Sequence, residues 1–510
     1  MEKTQSLTRS QRITESRENS QVFIYKGIKY NPHNDLLHRD TALYRFSSLQ
    51  KVILFLTLAL LIYVLISNWH TTLVALIAVL TTIYFTDLLF NLLLIFKGYS
   101  KNTDIQVTNI EIQEYDKELP MYTILCPLYK EAHILPQFIT SMSKLDYPVD
   151  KLQILLLLEQ DDTNTIEKAK TMNLPSQFEI VIVPHSNPKT KPKACNFGLK
   201  IAKGEYVVIY DAEDVPEITQ LKQAVIAFKN SEKNIACIQA KLNFYNPHQN
   251  LLTRIFTAEY SVWFDLVLTG LQSINAPIPL GGTSNHFKTT TLRDIGGWDS
   301  FNVTEDCDLG IRLVKKGYKT AILNSTTYEE ANSDVMNWYR QRTRWIKGYI
   351  QTYFVHMRYP REFISNYKDP HLLTFQLIVG GKVSSMLINP IMWILTISYF
   401  ALRPTLGTSI ESLFPMPVFY MSIFSLVVGN FLYIYYYVVG CAKRGHDDII
   451  KYIVLVPFYW LGMSIAAYTA IIHLIYKPHH WAKTVHGLHM NNSKGETQAA
   501  SIIGGKLVDL

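Results

Sequence analysis

The chain has 510 residues, of which 48% are hydrophobic and 18% are charged, and its net charge is +7. This composition is too apolar for a wholly soluble protein of this size and too polar for a pure transporter, so it predicts a soluble domain joined to membrane spans. The positive charge does not indicate nucleic-acid binding. Residues 1–51 hold nine Lys/Arg against five Asp/Glu just before the first apolar run. That pattern is typical of a cytoplasmic flank attracted to anionic lipid.

Two apolar runs, at residues 52–68 and 72–96, lie near the N-terminus. Each has about the length that a helix needs to cross a bilayer, so we predict a transmembrane hairpin over 51–97. A buried core helix is the alternative for the first run. Residues 1–50 form a predicted cytoplasmic segment, and its polar first part is expected to be disordered. No signal peptide is predicted, because the first apolar run starts about fifty residues into the chain.

The central part, residues 118–358, shows the pattern of a soluble α/β domain. Amphipathic helical stretches, as around 132–145 and 163–171, separate short apolar runs. This alternation predicts a mostly parallel sheet covered on both faces, with binding sites at the carboxyl ends of its strands. The predicted strands are Tyr122–Pro127, Leu152–Leu158, Ile180–Val183 and Tyr206–Ile209.

The C-terminal block, residues 371–476, contains three further apolar stretches, at 375–403, 416–440 and 451–476. The positive-inside rule gives a conflict here. Lys443 and its basic neighbours place the loop before the last stretch in the cytoplasm, and Lys477 places the tail, 477–510, there too. The two assignments cannot both hold if the last stretch simply crosses. Either Pro457 breaks this stretch or the stretch lies in the membrane interface, and the number of crossings stays open.

An acidic motif, Asp211-Ala212-Glu213-Asp214, directly follows the predicted strand Tyr206–Ile209. Carboxylates at a strand end are hard oxygen ligands for Mg²⁺ or Mn²⁺, which usually also bind substrate phosphates. A solvated acidic turn is an equally good interpretation of the motif alone.

A second acidic motif, Thr304-Glu305-Asp306, precedes a predicted helix over 308–316. A carboxylate at this position suits a general base that deprotonates a hydroxyl. The alternative is a capping cluster that the helix dipole favours.

Basic and glycine-rich loops add further candidates. Lys193 and Asn196 stand just before a helix start, where Lys191 or Lys193 is placed to contact phosphate, although a surface loop is an equal alternative. Residues 281–286 (GGTSNH) predict a loop whose backbone approaches a substrate closely.

The segment Gln341-Arg342-Thr343-Arg344-Trp345 carries the strongest signal. On a helix Gln341, Arg344 and Trp345 share one face. A guanidinium can hold a diphosphate through two parallel hydrogen bonds, and an indole offers a flat face to a sugar ring. An amphipathic helix at the membrane surface is the alternative, and it is compatible with the first interpretation.

In this order, the DxD-like, TED and QxxRW motifs resemble family 2 glycosyltransferases of the cellulose synthase and hyaluronan synthase type. The resemblance covers about 120–358, and segments 281–287, 296–309 and 338–349 look closest to a bacterial exopolysaccharide subgroup. The ending Trp481–Gly487 is similar to that subgroup's ending. The resemblance implies a GT-A fold, a Rossmann-like α/β domain, inserted between transmembrane helices. It also implies a UDP-sugar donor, a divalent metal (Mg²⁺ or Mn²⁺) and inversion at the anomeric carbon.

The resemblance also implies roles for individual residues. Asp306 would be the base, beside Glu305, while Gln341, Arg344 and Trp345 would hold the diphosphate and the acceptor end. Asp211, Glu213 and Asp214 are the implied metal ligands, but the family's DxD stands here as Asp-Ala-Glu-Asp, which leaves the choice among them open. The implied donor-binding residues are Pro127, Glu131, Glu159, Asp161, Lys193, Asn196 and Asp211.

The resulting hypothesis is a multi-pass enzyme of a bacterial plasma membrane with a cytoplasmic catalytic domain. It would extend a β-glycan from UDP-glucose, pass the polymer through its own spans and work beside accessory export subunits. No C-terminal cyclic-dinucleotide-binding domain is expected in the tail. One alternative is sugar transfer to a lipid acceptor. Another, from a different class, is a transport or scaffold subunit with an inactive transferase domain.

Overall fold

The computed structural model describes most of the chain between Phe23 and His479. The first residues, for which disorder was predicted, lie outside the described part, and so does the ending Trp481–Gly487. The described residues are 23–25, 28–30, 36–101, 103–115, 118–364 and 371–479.

An eight-stranded sheet forms the centre of the soluble domain, and a separate two-stranded hairpin, β1 and β2, precedes it. The order in the large sheet is β5-β4-β3-β6-β9-β8-β10-β7. Neighbours are parallel except where β9 pairs with β6 and β8 and where β7 pairs with β10. The predicted mostly parallel sheet is therefore confirmed. The strands are β1 Phe23–Tyr25, β2 Ile28–Tyr30, β3 Tyr122–Leu128, β4 Leu152–Glu159, β5 Phe178–Val183, β6 Tyr206–Ile209, β7 Val215–Pro216, β8 Ile235–Phe244, β9 Asn285–Lys288 and β10 Lys319–Glu329.

The apolar runs form strands because both faces of the sheet are covered. In β4 every residue is buried, and alternate side chains enter different cores. Ile154 and Leu156 pack in one core, whereas Leu155 and Leu157 pack in the other. A continuous apolar run, without alternation, is what a strand buried on both faces requires.

Helices cover the sheet and connect its strands. A π-helical segment, Trp263–Val267, joins α8 (Leu251–Val262) to α9 (Leu268–Ser273) and makes one continuous helical element. The helices up to the end of the soluble domain are α1 Ser48–Ser67, α2 Trp69–Ser100, α3 Asn109–Tyr115, α4 Leu135–Met142, α5 Thr163–Thr171, α6 Lys191–Ile201, α7 Gln220–Asn230, α8 Leu251–Val262, α9 Leu268–Ser273, α10 Thr289–Asp294, α11 Glu305–Lys315 and α12 Val335–His356.

In the described part of the chain, five helices are long and apolar enough to cross a membrane. They are α1, α2 and three C-terminal helices. The apolar segments identified in the sequence therefore do form long helices. The most apolar stretch of α1 is entirely exposed, as expected for a helix in lipid. In the last of the five helices, by contrast, 39% of the most apolar stretch is buried. The C-terminal helices are α13 His371–Ala401, α14 Arg403–Glu411, α15 Met416–Lys443 and α16 Asp447–Tyr476.

Pro457 does not break the last helix. The helix begins as a 3₁₀ segment, Asp447–Leu455, and continues as a regular α-helix from Val456. Pro457 stands in the first turn of that α-helical part, where its missing N–H costs no hydrogen bond. The chain therefore continues without interruption to Tyr476.

Candidate active site

A cavity of about 330 Å³ opens at the carboxyl ends of β3, β4 and β6 and extends to the long apolar helices. Ten of the fourteen residues to which the resemblance gives a role line it, although they come from distant parts of the chain. These ten are Pro127, Glu131, Glu159, Asp211, Glu213, Glu305, Asp306, Gln341, Arg344 and Trp345.

The second acidic motif places two carboxyl groups in the cavity. Helix α11 begins at Glu305, three residues earlier than the sequence predicted, so Glu305 and Asp306 both lie in its first turn. Burial raises the pKa of Asp306 to about 6, although the Cys307 N–H, 2.7 Å from Asp306 Oδ1, lowers it. Burial and the charge of Asp306 raise the pKa of Glu305 to about 8. A carboxylate that titrates near neutral pH is suited to accept a proton.

The glycine-rich loop lies beside this motif. A side chain added at Gly282 would place its Cβ 3.5 Å from Asp306 Oδ2. The Lys191 ammonium donates to the Gly282 carbonyl at 2.7 Å. The absence of a side chain at position 282 therefore leaves space next to the carboxylate of Asp306.

Helix α12 brings Gln341, Arg344 and Trp345 to the cavity, as their helical spacing predicted. Arg344 is half-buried near Glu305 and Asp306, and desolvation lowers its pKa overall although these carboxylates act to raise it. A guanidinium in this cavity can supply positive charge to an anionic group bound there.

Arg342, which the sequence did not single out, supports the side of the cavity that α12 forms. Its guanidinium pairs with Glu259, 2.5 Å from Oε2, and donates to the Tyr459 hydroxyl at 2.8 Å. It also lies over the rings of Phe256, at 4.4 Å, and Trp345, at 4.7 Å. The side chain of Trp345 is thus held by cation–π contact and by packing.

The first acidic motif separates into two environments. Asp211 and Glu213 line the cavity, whereas Asp214 does not. The Asp214 carboxyl group accepts from the Asp211 N–H at 2.6 Å and from the Thr283 hydroxyl. Full burial raises its pKa well above the usual range. Asp214 shapes the turn after β6, a position that differs from the one expected of a metal ligand.

The two lysines Lys191 and Lys193 lie in the first turn of α6, and not before the helix as the sequence predicted, and their environments differ. Lys191 lines the cavity, and its ammonium lies 2.5 Å from Asp211 Oδ1. Lys193 is fully buried outside the cavity and pairs with Glu159 at 2.7 Å. Asn196 lies outside it too, exchanging hydrogen bonds with the backbone of Trp298 at 2.8 and 2.9 Å. The structure therefore favours Lys191 over Lys193 for contact with a phosphate.

At the donor end, Pro127, Glu131 and Glu159 line the cavity at the ends of the first two strands of the domain. Asp161 lies just outside and pairs with the Lys189 ammonium at 2.5 Å. Lys189 itself reaches the cavity wall.

The donor set at the first acidic motif fits a divalent metal only together with a phosphate-bearing ligand. Within the described residues, no three His, Cys, Asp or Glu side chains come together to hold a metal ion alone. Asp211 and Glu213 supply two carboxylates, and the Lys191 ammonium against Asp211 shows that a cation is attracted there. Mg²⁺ is commonly held by one or two carboxylates plus substrate phosphates, so the residues fit.

The opposite end of the cavity reaches the long apolar helices α13 and α16 through Lys382, Met386 and Met463. The Lys382 ammonium lies 3.7 Å from the centre of the Trp263 ring. No motif marks these residues, because helices distant in the sequence bring them together.

Comparisons with known proteins show similarities in sequence and in fold. Residues 206–441 match the family model described as glycosyl transferase family group 2. The chain is 26% identical over 264 residues to a probable glycosyltransferase, YdaM, of Bacillus subtilis, which covers 51% of this chain and 63% of that protein. It is 28% identical over 239 residues to probable glucomannan 4-beta-mannosyltransferase 7 of Oryza sativa, covering 45% and 41%. The matched part is thus less than two thirds of either relative.

A solved structure also shares the fold. The mannosyltransferase PcManGT from Pyrobaculum calidifontis, in complex with GDP-Man and Mn²⁺, superposes with a TM-score of 0.52 at 18% identity. The match covers 79% of this chain and 99% of that one. The sheet, the cavity and these matches define a GT-A-like domain flanked by apolar helices. Residues 206–441 are thus similar to family 2 glycosyltransferases.

Proposed function

We propose that the protein is a membrane-embedded, inverting hexosyltransferase that adds sugar from a nucleotide donor to a growing β-glycan. The observation that carries this proposal is the continuity of the cavity. One space joins the carboxylates after β6, the acidic start of α11, the α12 wall and the membrane helices. Such a path accommodates a charged donor at one end and a membrane-associated acceptor at the other.

The proposed reaction uses the residues on the cavity wall. The acceptor hydroxyl gives its proton to Asp306 while its oxygen bonds to the anomeric carbon. The bond from that carbon to the diphosphate breaks, and the nucleoside diphosphate leaves with the bonding electrons. Arg344 and Lys191 stabilise the charge on the leaving group. Bound Mg²⁺ or Mn²⁺, held through Asp211 and Glu213, would neutralise further charge on it.

The donor in this proposal is a UDP-sugar, with UDP-glucose favoured, and Pro127, Glu131 and Glu159 contact its nucleoside. The relatives named as mannosyltransferases support a GDP-mannose donor as the competing choice. The proposed location is a bacterial plasma membrane, with the catalytic domain in the cytoplasm, the polymer leaving through the spans and accessory export subunits as partners.

The test uses the full chain purified in nanodiscs. Radiolabelled UDP-glucose, other UDP-sugars and GDP-mannose are supplied with Mn²⁺ or Mg²⁺, and the product is sized. High-molecular-weight, glycosidase-sensitive label is the expected result, and the donor that gives it identifies the sugar. Asp306→Asn serves as the control that retains nucleotide binding. Absence of both turnover and nucleotide binding in the parent chain would favour the inactive scaffold.

A lipid acceptor is the second candidate, and the wall formed by Lys382, Met386 and Met463 supports it. This wall belongs to apolar helices, so a lipid could present its headgroup hydroxyl to the cavity from the membrane. The two candidates differ in product. Label that extracts only into organic solvent, on a lipid carrying one or two sugars, would replace the polymer proposal.

A further inference from the structure

We propose that α16, although long and apolar enough to span a membrane, does not cross it. The geometry points to a helix that lies between the catalytic domain and the lipid of the leaflet on the domain side. The chain would then cross the membrane four times, through α1, α2, α13 and α15. This inference rests on membrane insertion and not on the transfer reaction, so the two can fail independently.

The two sides of the membrane can be assigned from contacts between the ends of the helices. On the domain side, Tyr353 of α12 donates to Gln376 near the start of α13 at 2.7 Å. At the end of α15, Lys443 donates to the Asp265 carbonyl at 3.4 Å. On the far side, His70 at the start of α2 lies 3.1 Å from Ser412, between α14 and α15. These contacts fit four crossing helices.

The beginning of α16 contacts the catalytic domain. Asp448 pairs with His248 at 3.1 Å, and the guanidinium of Arg254 lies 4.8 Å from the centre of the Tyr452 ring. His248 precedes α8 and Arg254 belongs to it. The first turns of α16 are therefore on the same side of the membrane as the sheet.

The end of α16 contacts the same domain. The Lys347 ammonium donates to the Lys477 carbonyl at 3.2 Å, and the Gln351 amide donates to the Pro478 carbonyl at 3.0 Å. Arg45, which precedes the first apolar helix, donates to the Leu474 carbonyl at 3.5 Å. Both ends of α16 thus meet residues of the domain side.

Contacts with α12 continue along the middle of the helix. Trp338 donates to the Tyr459 hydroxyl at 3.1 Å, and the hydroxyls of Tyr339 and Thr469 are 2.6 Å apart. Helix α12 in turn contacts the domain, through Arg342 and Glu259 near its middle and through His356 and Asp308 at its end. A helix of this length measures about 50 Å, whereas the hydrocarbon core is about 30 Å thick. A crossing helix would leave the domain within a few turns, and α16 does not.

Between Val454 and Ile475, the face of α16 that points away from the domain is apolar. Its exposed residues follow one another at intervals of four and three, which places them on one side of the helix. They are Val454, Phe458, Leu461, Ile465, Tyr468, Ile472 and Ile475. Water is a poor solvent for a stripe of this length, and the neighbouring spans place lipid at the same level. We therefore assign acyl chains of the domain-side leaflet as the partner of this face.

This placement also removes the conflict in the distribution of basic residues. With four crossings, Lys443, Arg444 and Lys451 share the cytoplasmic side with Lys477, as the positive-inside rule requires. With five crossings, Lys477 would lie on the opposite side from the other three.

The sidedness test labels single cysteines in sealed membrane vesicles with an impermeant maleimide. The five native cysteines are buried, so they contribute little labelling. Asp447→Cys and Lys477→Cys report the two ends of α16, while Lys144→Cys in the domain and Ser409→Cys on the far side are controls; all four positions are exposed. Labelling after detergent defines the total. Both α16 variants should match Lys144→Cys, and agreement of Lys477→Cys with Ser409→Cys would overturn the proposal.

A depth measurement tests whether the helix is parallel to the surface. Nitroxide labels at Phe458, Ile465 and Ile472 should give equal, shallow depths in the bilayer. Matched labels along α1, at Phe55, Leu58 and Ile62, should give the graded depths of a spanning helix. If the label at Ile465 lay much deeper in the bilayer than the labels at Phe458 and Ile472, the flat arrangement would be wrong. This holds even if both ends of α16 are labelled from the same side.

Discussion

The two acidic motifs of the cavity have similar composition, yet their carboxylates differ in environment. After β6, Asp211 pairs with Lys191 while Asp214 turns away into its own loop. At the start of α11, Glu305 and Asp306 both enter the cavity, and burial raises the pKa of each. A strand end followed by a tight turn separates neighbouring carboxylates, whereas the first turn of a helix presents them together. The first motif thus suits cation binding, and the second suits proton transfer.

The sharpest test of this difference is at the second motif. Asp306→Asn should lower turnover about 1,000-fold, because a positioned general base contributes 10²- to 10⁴-fold. Nucleotide affinity, measured by calorimetry, should stay within about twofold. Glu305→Gln is the matched variant. Burial and the charge of Asp306 raise the pKa of Glu305, which favours its protonated form, and glutamine imitates that neutral form. A larger loss in Glu305→Gln than in Asp306→Asn would exchange the two roles.

The lysines beside the first motif provide the second test. Lys193→Met should destabilise the domain by about 3 kcal/mol, because it leaves the Glu159 carboxylate buried without its cation. Lys191→Met should leave the thermal unfolding temperature nearly unchanged and weaken nucleotide binding about tenfold. Intrinsic fluorescence on heating measures the first effect, and nucleotide titration measures the second. If Lys193→Met alone weakened nucleotide binding at constant stability, Lys193 and not Lys191 would be the phosphate ligand.

The third test separates the two aspartates of the first motif. Asp214→Ala removes the acceptor of the Asp211 N–H and of the Thr283 hydroxyl, which should cost about 2 kcal/mol of stability. Asp211→Asn should instead weaken the metal-dependent part of donor binding by about tenfold with little change in stability. Donor titrations with and without Mn²⁺ make the distinction. An unchanged Mn²⁺ effect in Asp211→Asn would remove this residue from the metal site.

Much of the fold could be predicted because the first strands are continuous apolar runs with polar ends. The predicted strands at 122–127 and 152–158 match β3 and β4 to within one residue. Strand β8 was missed because it carries Gln239, Lys241 and Asn243. The charge of Lys241 is compensated only in the folded domain, by Asp104 at 2.6 Å and Asp265 at 2.8 Å. Such pairing between distant segments leaves no local pattern.

The candidate site shows the same limit. Sequence motifs indicated the carboxylates and the α12 residues of the cavity, because the members of each motif are close together in the sequence, at the end of one strand or on one helix. The choice between Lys191 and Lys193 depended on where α6 begins, and position along the chain does not determine which lysine faces the cavity. Lys382 and Met463 reach the cavity only through the packing of the apolar helices.

The smallest predicted effect concerns how α12 positions the second motif. A Cβ at Gly348 would come within 2.7 Å of the Thr304 Cβ, so Gly348→Ala must push α12 away from the start of α11. Overpacking of this kind costs about 1–3 kcal/mol, and alanine's better helix propensity returns about 1 kcal/mol. The net loss should be about 1 kcal/mol, with turnover reduced severalfold because Asp306 and Arg344 separate.

Gly407→Ala in α14 is the control for this substitution. Its Cβ would meet the flexible side chain of Arg403 at 3.2 Å, so the helix-propensity gain should remain and stability should rise slightly. Thermal unfolding and turnover of both variants are compared with the parent chain. Equal behaviour of the two would mean that the contact between Gly348 and Thr304 does not position the proposed base. Loss of turnover in Gly348→Ala at nearly unchanged nucleotide affinity would instead place the effect at the second acidic motif and not at the first.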